Sequence, residues 1–451
     1  MEIRRLNDIA AFSTLAGRRI GFHSRNLDVA QLTEEAWQAI ETSDKIPSAV
    51  ESALAGEARL ELETWSREED LSTVDADLSS KIRSLMINVA QICNLKCSYC
   101  AAGGDGTFGE PVRHLEIETI YEQIRMFLHD VPAGETFSIT FFGGEPLLNP
   151  EAISQLARFA RLQVAGREIR LRFCVITNAT LVTPDIAELL ASINCHVTVS
   201  LDGPPEINDK FRVSAGGRGS TAKALVGLQH LLHVRPRLGS LSSGSVFGSH
   251  HTAVQKTYEF LKPFGFDSLK FDFAAEAGSS EAESQASREY ARELAATADL
   301  AYREGGEQEL RRIGHFETYF QALDSKRRLN NHCGAGKSML SIDSKGAVTT
   351  CQWFVGRKEE RIGAGNRIDH SKLQAFSDRL IDLNDCGSCW ARHLCGGGCM
   401  YVNDLKNGTK HKKDPLFCQR TRATIAKAIE HYAEARYEKQ TGDKCETHQE
   451  N

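Results

Sequence analysis

Three cysteines stand close together in the stretch CNLKCSYC, Cys93–Cys100, with three and then two residues between them. Thiolates this near in sequence can share one iron–sulfur cube, which normally has four cysteine ligands. The next cysteine is Cys174, so one iron would lack a protein ligand and could bind a small molecule. The strand-like run Ser84–Ala90 precedes the motif, which places it at the C-terminal end of a strand, where barrel-like α/β folds carry their chemistry. A zinc site or an ordinary ferredoxin-type site is the alternative.

The triplet also has an aromatic residue, Tyr99, directly before its last cysteine. With this residue, Cys93, Cys97 and Cys100 resemble the signature of the radical S-adenosylmethionine (radical SAM) enzymes. The resemblance implies a [4Fe–4S] cluster whose open iron is chelated by the amino and carboxylate groups of S-adenosylmethionine (SAM). It also implies that an electron from the cluster cleaves this cofactor, and that a 5′-deoxyadenosyl radical then abstracts hydrogen from the substrate.

A second group of cysteines occupies the C-terminal third of the chain. Cys333 and Cys351 come first, followed by Cys386-x2-Cys389-x5-Cys395-x3-Cys399 and finally Cys418. The Cys386-x2-Cys389 pair alone would suit a zinc ribbon, but that leaves the other thiols unexplained. The full order is similar to the SPASM domain of radical SAM peptide maturases, which implies two auxiliary [4Fe–4S] clusters and three clusters in all. By motif position, the distal cluster would take Cys386, Cys389, Cys395 and Cys418, and the proximal cluster would take three ligands, Cys333, Cys351 and Cys399.

The same resemblance implies which residues bind SAM. In FFGGEP, Gly143, Gly144 and Glu145 match the element that binds its ammonium group, and the glycines let backbone approach a ligand without a Cβ. Asn178 in ITNAT follows, although Ala179 replaces the glycine of relatives.

The next strand end adds further candidates. Ser200 and Asp202 match the element near the ribose, and Arg212 would pair with the cofactor carboxylate or form a structural ion pair with Asp202. His250 and His251 follow the fifth strand, where they would reach cofactor or substrate, or else start a helix with solvated rings. Cys174 and Cys195 are expected to be buried apolar residues.

The elements that must position these residues alternate between strand and helix from residue 81 to about 305. Strands are expected at Ser84–Ala90, Phe137–Phe142, Leu171–Thr177, His196–Leu201, Ser243–Phe247 and Ser268–Phe273. Helices are expected at Glu116–His129, Pro150–Ala165, Pro184–Ser192, Ser220–His233 and Ala253–Phe264. This alternation predicts a parallel sheet with right-handed crossovers, hence an α/β fold with an open, partial (β/α)6 TIM-like barrel.

The first eighty residues predict a small α+β, winged-helix-like module. Ala16–Ser24 and Leu27–Leu32 form a hairpin pattern, and Thr33 caps a helix to Thr42. A second helix is expected at Pro47–Ala55, before an acidic linker. The arrangement is similar to the peptide-recognition element that binds a leader peptide by strand addition; a plain extension packed on the barrel is the alternative. The predicted domains are 1–80, 81–305 and a bridging region with the Cys-rich SPASM domain at 306–451, where 342–350 reads as a hairpin and 421–437 as a docking helix.

Composition limits the environment and the partners. The 451 residues carry a net charge of −6 with mixed signs, which indicates neither nucleic acid nor membrane as a partner. The N-terminus lacks a secretory apolar core, so a cytoplasmic protein is expected. There, thirteen cysteines indicate metal or redox use rather than structural disulfides.

These features together favour a radical SAM/SPASM maturase that installs an oxidative thioether, carbon–carbon or ether crosslink in a ribosomally made precursor peptide. The expected partners are that peptide with its leader and a reductant such as flavodoxin or ferredoxin. Sulfatase maturases, which make formylglycine, carry an aspartate that acts as a base directly after the second SPASM cysteine, where this chain has Gln352. Sulfatase maturation therefore stays the alternative, with Asp343 or Asp272 as a substitute base, and a non-catalytic iron–sulfur redox protein is the third hypothesis.

Overall fold

The computed structural model describes residues 3–446 except 7, 15, 42–57, 59, 66–73, 76–80, 101–114, 279, 375 and 377. The chain forms two compact units. The first contains Met1–Asp77, Ala291–Cys333 and Arg379–Asn451, and the second contains Leu78–Tyr290 and Gly334–Asp378. The helix expected at 47–55 lies outside the described residues, and the domain boundaries at 80 and 305 stay predictions.

The first unit begins with a four-stranded antiparallel sheet whose strands pair in chain order. The strands are Arg4–Leu6, Ile9–Ser13, Arg19–His23 and Asp28–Gln31. The predicted hairpin is confirmed as the last two strands, and the first two strands are an addition to the prediction. The helix Glu34–Glu41 follows as expected, because Thr33 Oγ1 accepts a hydrogen bond from the Ala36 N–H at 3.1 Å and caps it. Its apolar face, including Trp37 and Ile40, packs with Ile9.

Helices from later in the chain complete the first unit. They are part of Glu281–Arg311, then Gly314–Asp324, Leu380–Leu383, Arg392–Cys395, Met400–Asn407 and Pro415–Glu446. The last includes the predicted docking helix, whose Ile425 and Ile429 are fully buried. None of the described helices is long and apolar enough to cross a bilayer.

The second unit contains the predicted parallel sheet. Its six parallel strands are Ser84–Ala90, Thr136–Gly143, Arg170–Thr177, His196–Ser200, Ser240–Phe247 and Ser268–Phe273, and each pairs with the next. Helices lie between them at Ile117–His129, Pro150–Gln163, Pro184–Ser192, Pro205–Phe211, Thr221–His233 and Val254–Leu261. This confirms the α/β barrel-type fold. The C-terminal strand ends therefore share one edge of the sheet, as parallel strands require.

The predicted hairpin in the C-terminal third extends this sheet. Met339–Ile342 pairs in parallel with Ser84–Ala90 and antiparallel with Ala347–Thr349. Asp343 makes the turn, because its Oδ1 accepts the N–H groups of Lys345 at 2.9 Å and Ala347 at 2.7 Å.

Candidate functional site

The cysteine loop leaves the first parallel strand at Ala90. Burial, together with the charges of Glu145, Cys97 and Cys100, raises the pKa of the Cys93 thiol to about 12. Burial likewise raises the pKa of Cys97, where Cys100 again contributes. The structure thus brings the three predicted ligands within electrostatic reach of one another, and they would bind a group that stabilises thiolates.

The Gly-Gly-Glu element lies directly against this loop. Gly144 N–H donates to Ala90 O at 2.8 Å, and Glu145 N–H donates to Ile92 O at 2.9 Å. A Cβ on Gly143 would lie 2.0 Å from Ala90 O, and one on Gly144 would lie 2.3 Å from Ile92 O. Within the described residues, the close neighbour that requires glycine is therefore the backbone of the cysteine loop itself.

Glu145 joins the ends of the second and third strands. Its side chain is buried, and Oε1 accepts hydrogen bonds from Thr177 Oγ1 at 2.7 Å and the Leu147 N–H at 3.0 Å. Oε2 accepts the Asn178 N–H at 2.8 Å. Burial raises the pKa of this carboxyl, while the three donors oppose the increase. Its binding to the SAM ammonium group stays a prediction.

Asn178 reaches the cysteine loop. Its Nδ2 donates to Asn94 Oδ1 at 2.9 Å and lies 3.9 Å from Cys93 Sγ. The following Ala179 has φ +59°, the left-handed conformation that glycine adopts without strain. Ala179 thus adopts the conformation that the glycine of relatives would favour. Asn178 lies beside the first cysteine of the motif.

The fourth strand ends at Ser200, which is half-buried, and leads to a buried ion pair. Arg212 Nη1 lies 3.8 Å from Asp202 Oδ2, and the Tyr99 hydroxyl lies between them. This hydroxyl donates to Asp202 Oδ2 at 2.5 Å and accepts from Arg212 Nη1 at 2.5 Å. Asp202 Oδ1 also accepts the Val246 N–H at 3.0 Å. Arg212 and Asp202 therefore form the structural ion pair that the sequence left as one of two alternatives, and Tyr99 of the cysteine motif bridges them.

The two histidines after the fifth strand pack among aromatic rings. His250 stacks on Tyr99 with 4.6 Å between ring centroids, and His251 stacks on Phe211 at 5.7 Å. Burial lowers the pKa of both rings, that of His251 to about 4. Neither ring nitrogen of His251 has a hydrogen-bond partner in the part of the chain that the structure describes. Both histidines are half-buried beside the cysteine motif, and their stacking on Tyr99 and Phe211 disagrees with the alternative of solvated rings.

Four of the C-terminal cysteines gather in the first unit. Burial raises the pKa of Cys395 to about 12, and the charges of Cys418 and Cys389 act in the same direction. Burial, together with the charges of Cys389 and Cys418, raises the pKa of Cys386 to about 11. Their mutual influence places the four thiols predicted for the distal cluster in one neighbourhood.

Three successive glycines shape this second group. Gly396, Gly397 and Gly398 have φ of +71°, +87° and +87°, all in the left-handed region. This conformation turns the N–H groups of Gly397 and Gly398 toward the Cys395 sulfur, where they lower its pKa. The glycines therefore serve a purpose beyond tight packing, because they provide donors to a thiolate.

The three cysteines predicted for the proximal cluster belong to different units of the chain. Burial raises the pKa of Cys399, which belongs to the first unit together with the exposed Cys333. Cys351 is buried and belongs to the second unit. Their joint assignment to a proximal cluster stays a prediction.

Both predicted cysteine groups consist of thiol donors alone. The all-thiol donor sets agree with iron–sulfur chemistry.

Comparison with known proteins identifies the domain that carries this site. Residues 87–260 match the model of the Radical SAM superfamily. The chain contains a radical SAM domain. The matched segment contains the cysteine triplet, the Gly-Gly-Glu element, Asn178, the Tyr99–Asp202–Arg212 group and both histidines.

Relatives extend the likeness beyond that segment. The chain is 26% identical over 374 residues to a cysteine-type anaerobic sulfatase-maturating enzyme of Clostridium novyi, covering 77% of this chain and 96% of the relative. It is 22% identical over 404 residues to the radical SAM cyclopropyl synthase TigE of Paramaledivibacter caminithermalis, covering 82% and 79%. The structure of native anSMEcpe with bound AdoMet shares the fold with TM-score 0.66 at 22% identity, covering 78% of this chain and 98% of that one. The likeness to these proteins therefore extends over more than three quarters of the chain.

Proposed function

We propose that this radical SAM enzyme installs an oxidative crosslink, a thioether, carbon–carbon or ether bond, between side chains of a ribosomally made precursor peptide. The observation that carries the choice is Gln352, which stands directly after Cys351 where sulfatase maturases have a basic aspartate. A carboxamide cannot accept the proton of a serine or cysteine side chain at neutral pH. The first step of a crosslinking reaction, hydrogen abstraction from a side-chain carbon, needs no base, and the proton lost as the new bond closes passes to an acceptor other than Gln352.

The residues divide the work between two places in the chain. When bound, the first cluster and SAM supply a 5′-deoxyadenosyl radical that removes a hydrogen atom from the substrate. Cys93, Cys97 and Cys100 would hold that cluster, while Glu145 and Asn178 orient their loop. The substrate radical must lose one electron as the crosslink closes, and this requires an electron acceptor. The four-thiol group around Cys395 would hold a cluster that accepts this electron.

The partners follow from this reaction. The substrate is a precursor peptide with a leader, and the N-terminal antiparallel sheet is suited to bind an extended peptide. Solved relatives include anSMEcpe with a bound peptide, Cp18Cys, at 21% identity. A reductant such as flavodoxin or ferredoxin delivers the electron that starts each turnover.

Sulfatase maturation is the second candidate, favoured by the match over 96% of a sulfatase-maturating relative. It needs a base in place of Gln352. Asp343 is already engaged in the hairpin turn. Asp272 is exposed near the end of the sixth parallel strand and is the better substitute.

Anaerobically reconstituted enzyme, reductant and SAM should be incubated with a candidate precursor peptide and, separately, with a sulfatase peptide. A crosslink removes two hydrogens from the peptide and leaves no aldehyde. Oxidation of serine also removes two hydrogens, so trapping with a hydrazide is needed to distinguish the products. An aldehyde that disappears in Asp272→Asn would contradict crosslinking and support maturation.

A control separates both candidates from a redox carrier. Cys97→Ala is expected to abolish release of 5′-deoxyadenosine while iron remains at the C-terminal cysteines. If the parent enzyme binds iron and sulfide but leaves SAM intact with every reductant, the protein is a non-catalytic carrier.

A further inference from the structure

The first unit contains a cleft of about 950 Å³ that the reaction described above does not use. One wall comes from the first two strands of the N-terminal sheet, through residues 3–5 and 13–14. The opposite wall comes from residues 291–295 and from the C-terminal helix at 422–430. Three distant parts of the chain thus build one concavity, large enough for a ligand of several residues.

The charges around this cleft are strongly biased. Among the described residues that line it, five are cations: Arg4, Arg5, Arg292, Arg422 and Lys427. Lys427 is compensated by two carboxylates, Glu430 at 2.7 Å and Asp299 at 3.1 Å. Arg5 and Arg422 are exposed on opposite walls, so the cleft presents positive charge although the whole chain has a net charge of −6. A local excess against the global sign favours a specific anionic ligand.

Two tryptophans support the apolar part of the cleft wall. Trp37 and Trp390 both line it and are mostly buried, with exposed fractions of 6% and 5%. The Arg4 guanidinium lies 5.4 Å from the Trp37 ring centroid, which orients the cation toward the cleft wall. Flat rings next to arginines are suited to a chain that carries both apolar and acidic groups.

The cleft also reaches an edge of the sheet. Arg4–Leu6 is the outermost strand in the sheet order, and it pairs on one side with Ile9–Ser13. An edge strand offers backbone donors and acceptors to an extended chain but has no matching feature for a nucleic acid base.

We propose that this cleft binds an acidic, extended segment of the peptide substrate, apart from the residues that react. This inference rests on the proposed function, because it takes a peptide to be the substrate. It differs from simple strand addition, in which backbone groups alone carry the affinity. Recognition here depends on the side-chain cations of two opposite walls.

Fluorescence anisotropy on the reconstituted full-length enzyme tests the proposal, with fluorescein-labelled octaglutamate as the probe. A glycine–serine peptide of the same length is the neutral comparison. Octaglutamate should bind more tightly than the neutral peptide, and raising salt from about 50 mM to about 300 mM should weaken it. Arg5→Glu on one wall and Ala423→Glu on the other should each weaken binding by about tenfold. Both positions are exposed, so neither change disturbs a packed core.

Arg327→Glu is the matched control, since Arg327 is an exposed arginine of the same unit that does not line the cleft. It reverses the charge of an arginine as Arg5→Glu does, and it should alter octaglutamate binding by less than about twofold. Iron content and thermal midpoint of each variant verify folding. The proposal is overturned if octaglutamate binds no better than the neutral peptide, or if all three variants weaken it equally. Tighter binding of a single-stranded oligonucleotide than of octaglutamate would also overturn it.

The two proposals fail separately. Unmodified enzyme that cleaves SAM and modifies a peptide, yet ignores octaglutamate, refutes the cleft alone. Enzyme that binds octaglutamate through Arg5 but modifies no peptide refutes the crosslinking function alone.

Discussion

The hydroxyl of Tyr99 donates a hydrogen bond to the buried carboxylate of Asp202 at 2.5 Å. This bond ties the residue before Cys100 to the end of the fourth parallel strand. Arg212 donates to the same hydroxyl, so a single oxygen is held between a buried anion and a buried cation. Burial raises the pKa of Tyr99, which keeps the hydroxyl protonated and able to donate.

Tyr99→Phe removes this bridge while keeping the ring that stacks on His250. We expect a loss of about 1–3 kcal/mol in the free energy of unfolding, because a buried carboxylate loses a donor. The reconstituted variant should retain iron, since the cysteines are unchanged, but its cluster should give an altered paramagnetic resonance spectrum with SAM. Tyr121→Phe is the control, because that ring stacks on Phe159 and has no described hydroxyl partner. Equal effects of the two changes would show that the bridge does not position the loop.

Gly144→Ala places a methyl group 2.3 Å from the carbonyl oxygen of Ile92, next to Cys93. The cysteine loop must then move, and a displacement of about 1 Å near reacting atoms costs about 100-fold in rate. Release of 5′-deoxyadenosine per enzyme should fall by about that factor. Gly216→Ala adds the same methyl group, with its nearest neighbour at 4.0 Å, and should keep the parent rate. A normal rate in Gly144→Ala would contradict the tight packing of this element on the loop.

Gly397→Ala acts on the other cysteine group. The new Cβ would lie 2.7 Å from the carbonyl carbon of Leu380, in a residue with φ +87°. Beyond the roughly 1 kcal/mol of left-handed strain, the N–H donor to Cys395 is displaced. We expect loss of iron from the C-terminal group, measured as iron per chain, while SAM is still cleaved without peptide. Gly408→Ala has similar strain at φ +67° with no atom within 4 Å, and it should keep all its iron.

Glu307 makes stability depend on pH. Burial acts to raise its pKa, but hydrogen bonds from Arg436, Lys439 and Arg311 lower the pKa to about 2. A carboxyl whose folded pKa is depressed contributes stability above its ordinary value near 4.5, and this contribution is lost as pH falls from there toward 2. With allowance for screening by solvent, it is worth about 1–3 kcal/mol.

Glu307→Gln should lower the free energy of urea unfolding of cluster-free protein by that amount at pH 7. The difference between parent and variant should shrink as the pH falls below about 4.5. Glu188→Gln removes an exposed partner of Arg237 and should cost less than about 1 kcal/mol. A difference for Glu307→Gln that stays constant from pH 7 to pH 3 would mean that its ion pairs add nothing.

Local patterns predicted much of the fold. The bounds of Ser84–Ala90, Ser268–Phe273 and Pro184–Ser192 agree with the sequence pattern at both ends. Each depends on a run of apolar residues and on capping or turn residues nearby, so the information lies within a few positions. The strand Arg4–Leu6 was missed because three residues with two arginines have no apolar period to detect.

The sequence predicted only part of the candidate site. Spacing singled out the cysteines, but the contact between Asp202 and Tyr99 joins residues 103 positions apart. No sequence pattern indicated that His250 stacks on Tyr99, because ring stacking depends on how two strand ends approach.

The sequence by itself determined which cysteines are candidates for binding metal clusters, and that strands and helices alternate to form a parallel sheet. Those properties follow from residue type and short spacing. Only the tertiary structure decided that Gly143 and Gly144 pack on the cysteine loop, that Tyr99 bridges an ion pair, and that Arg5 and Arg422 line one cleft. Such relationships arise when distant segments pack together, and the energy of packing belongs to the assembled surfaces rather than to any one stretch of chain.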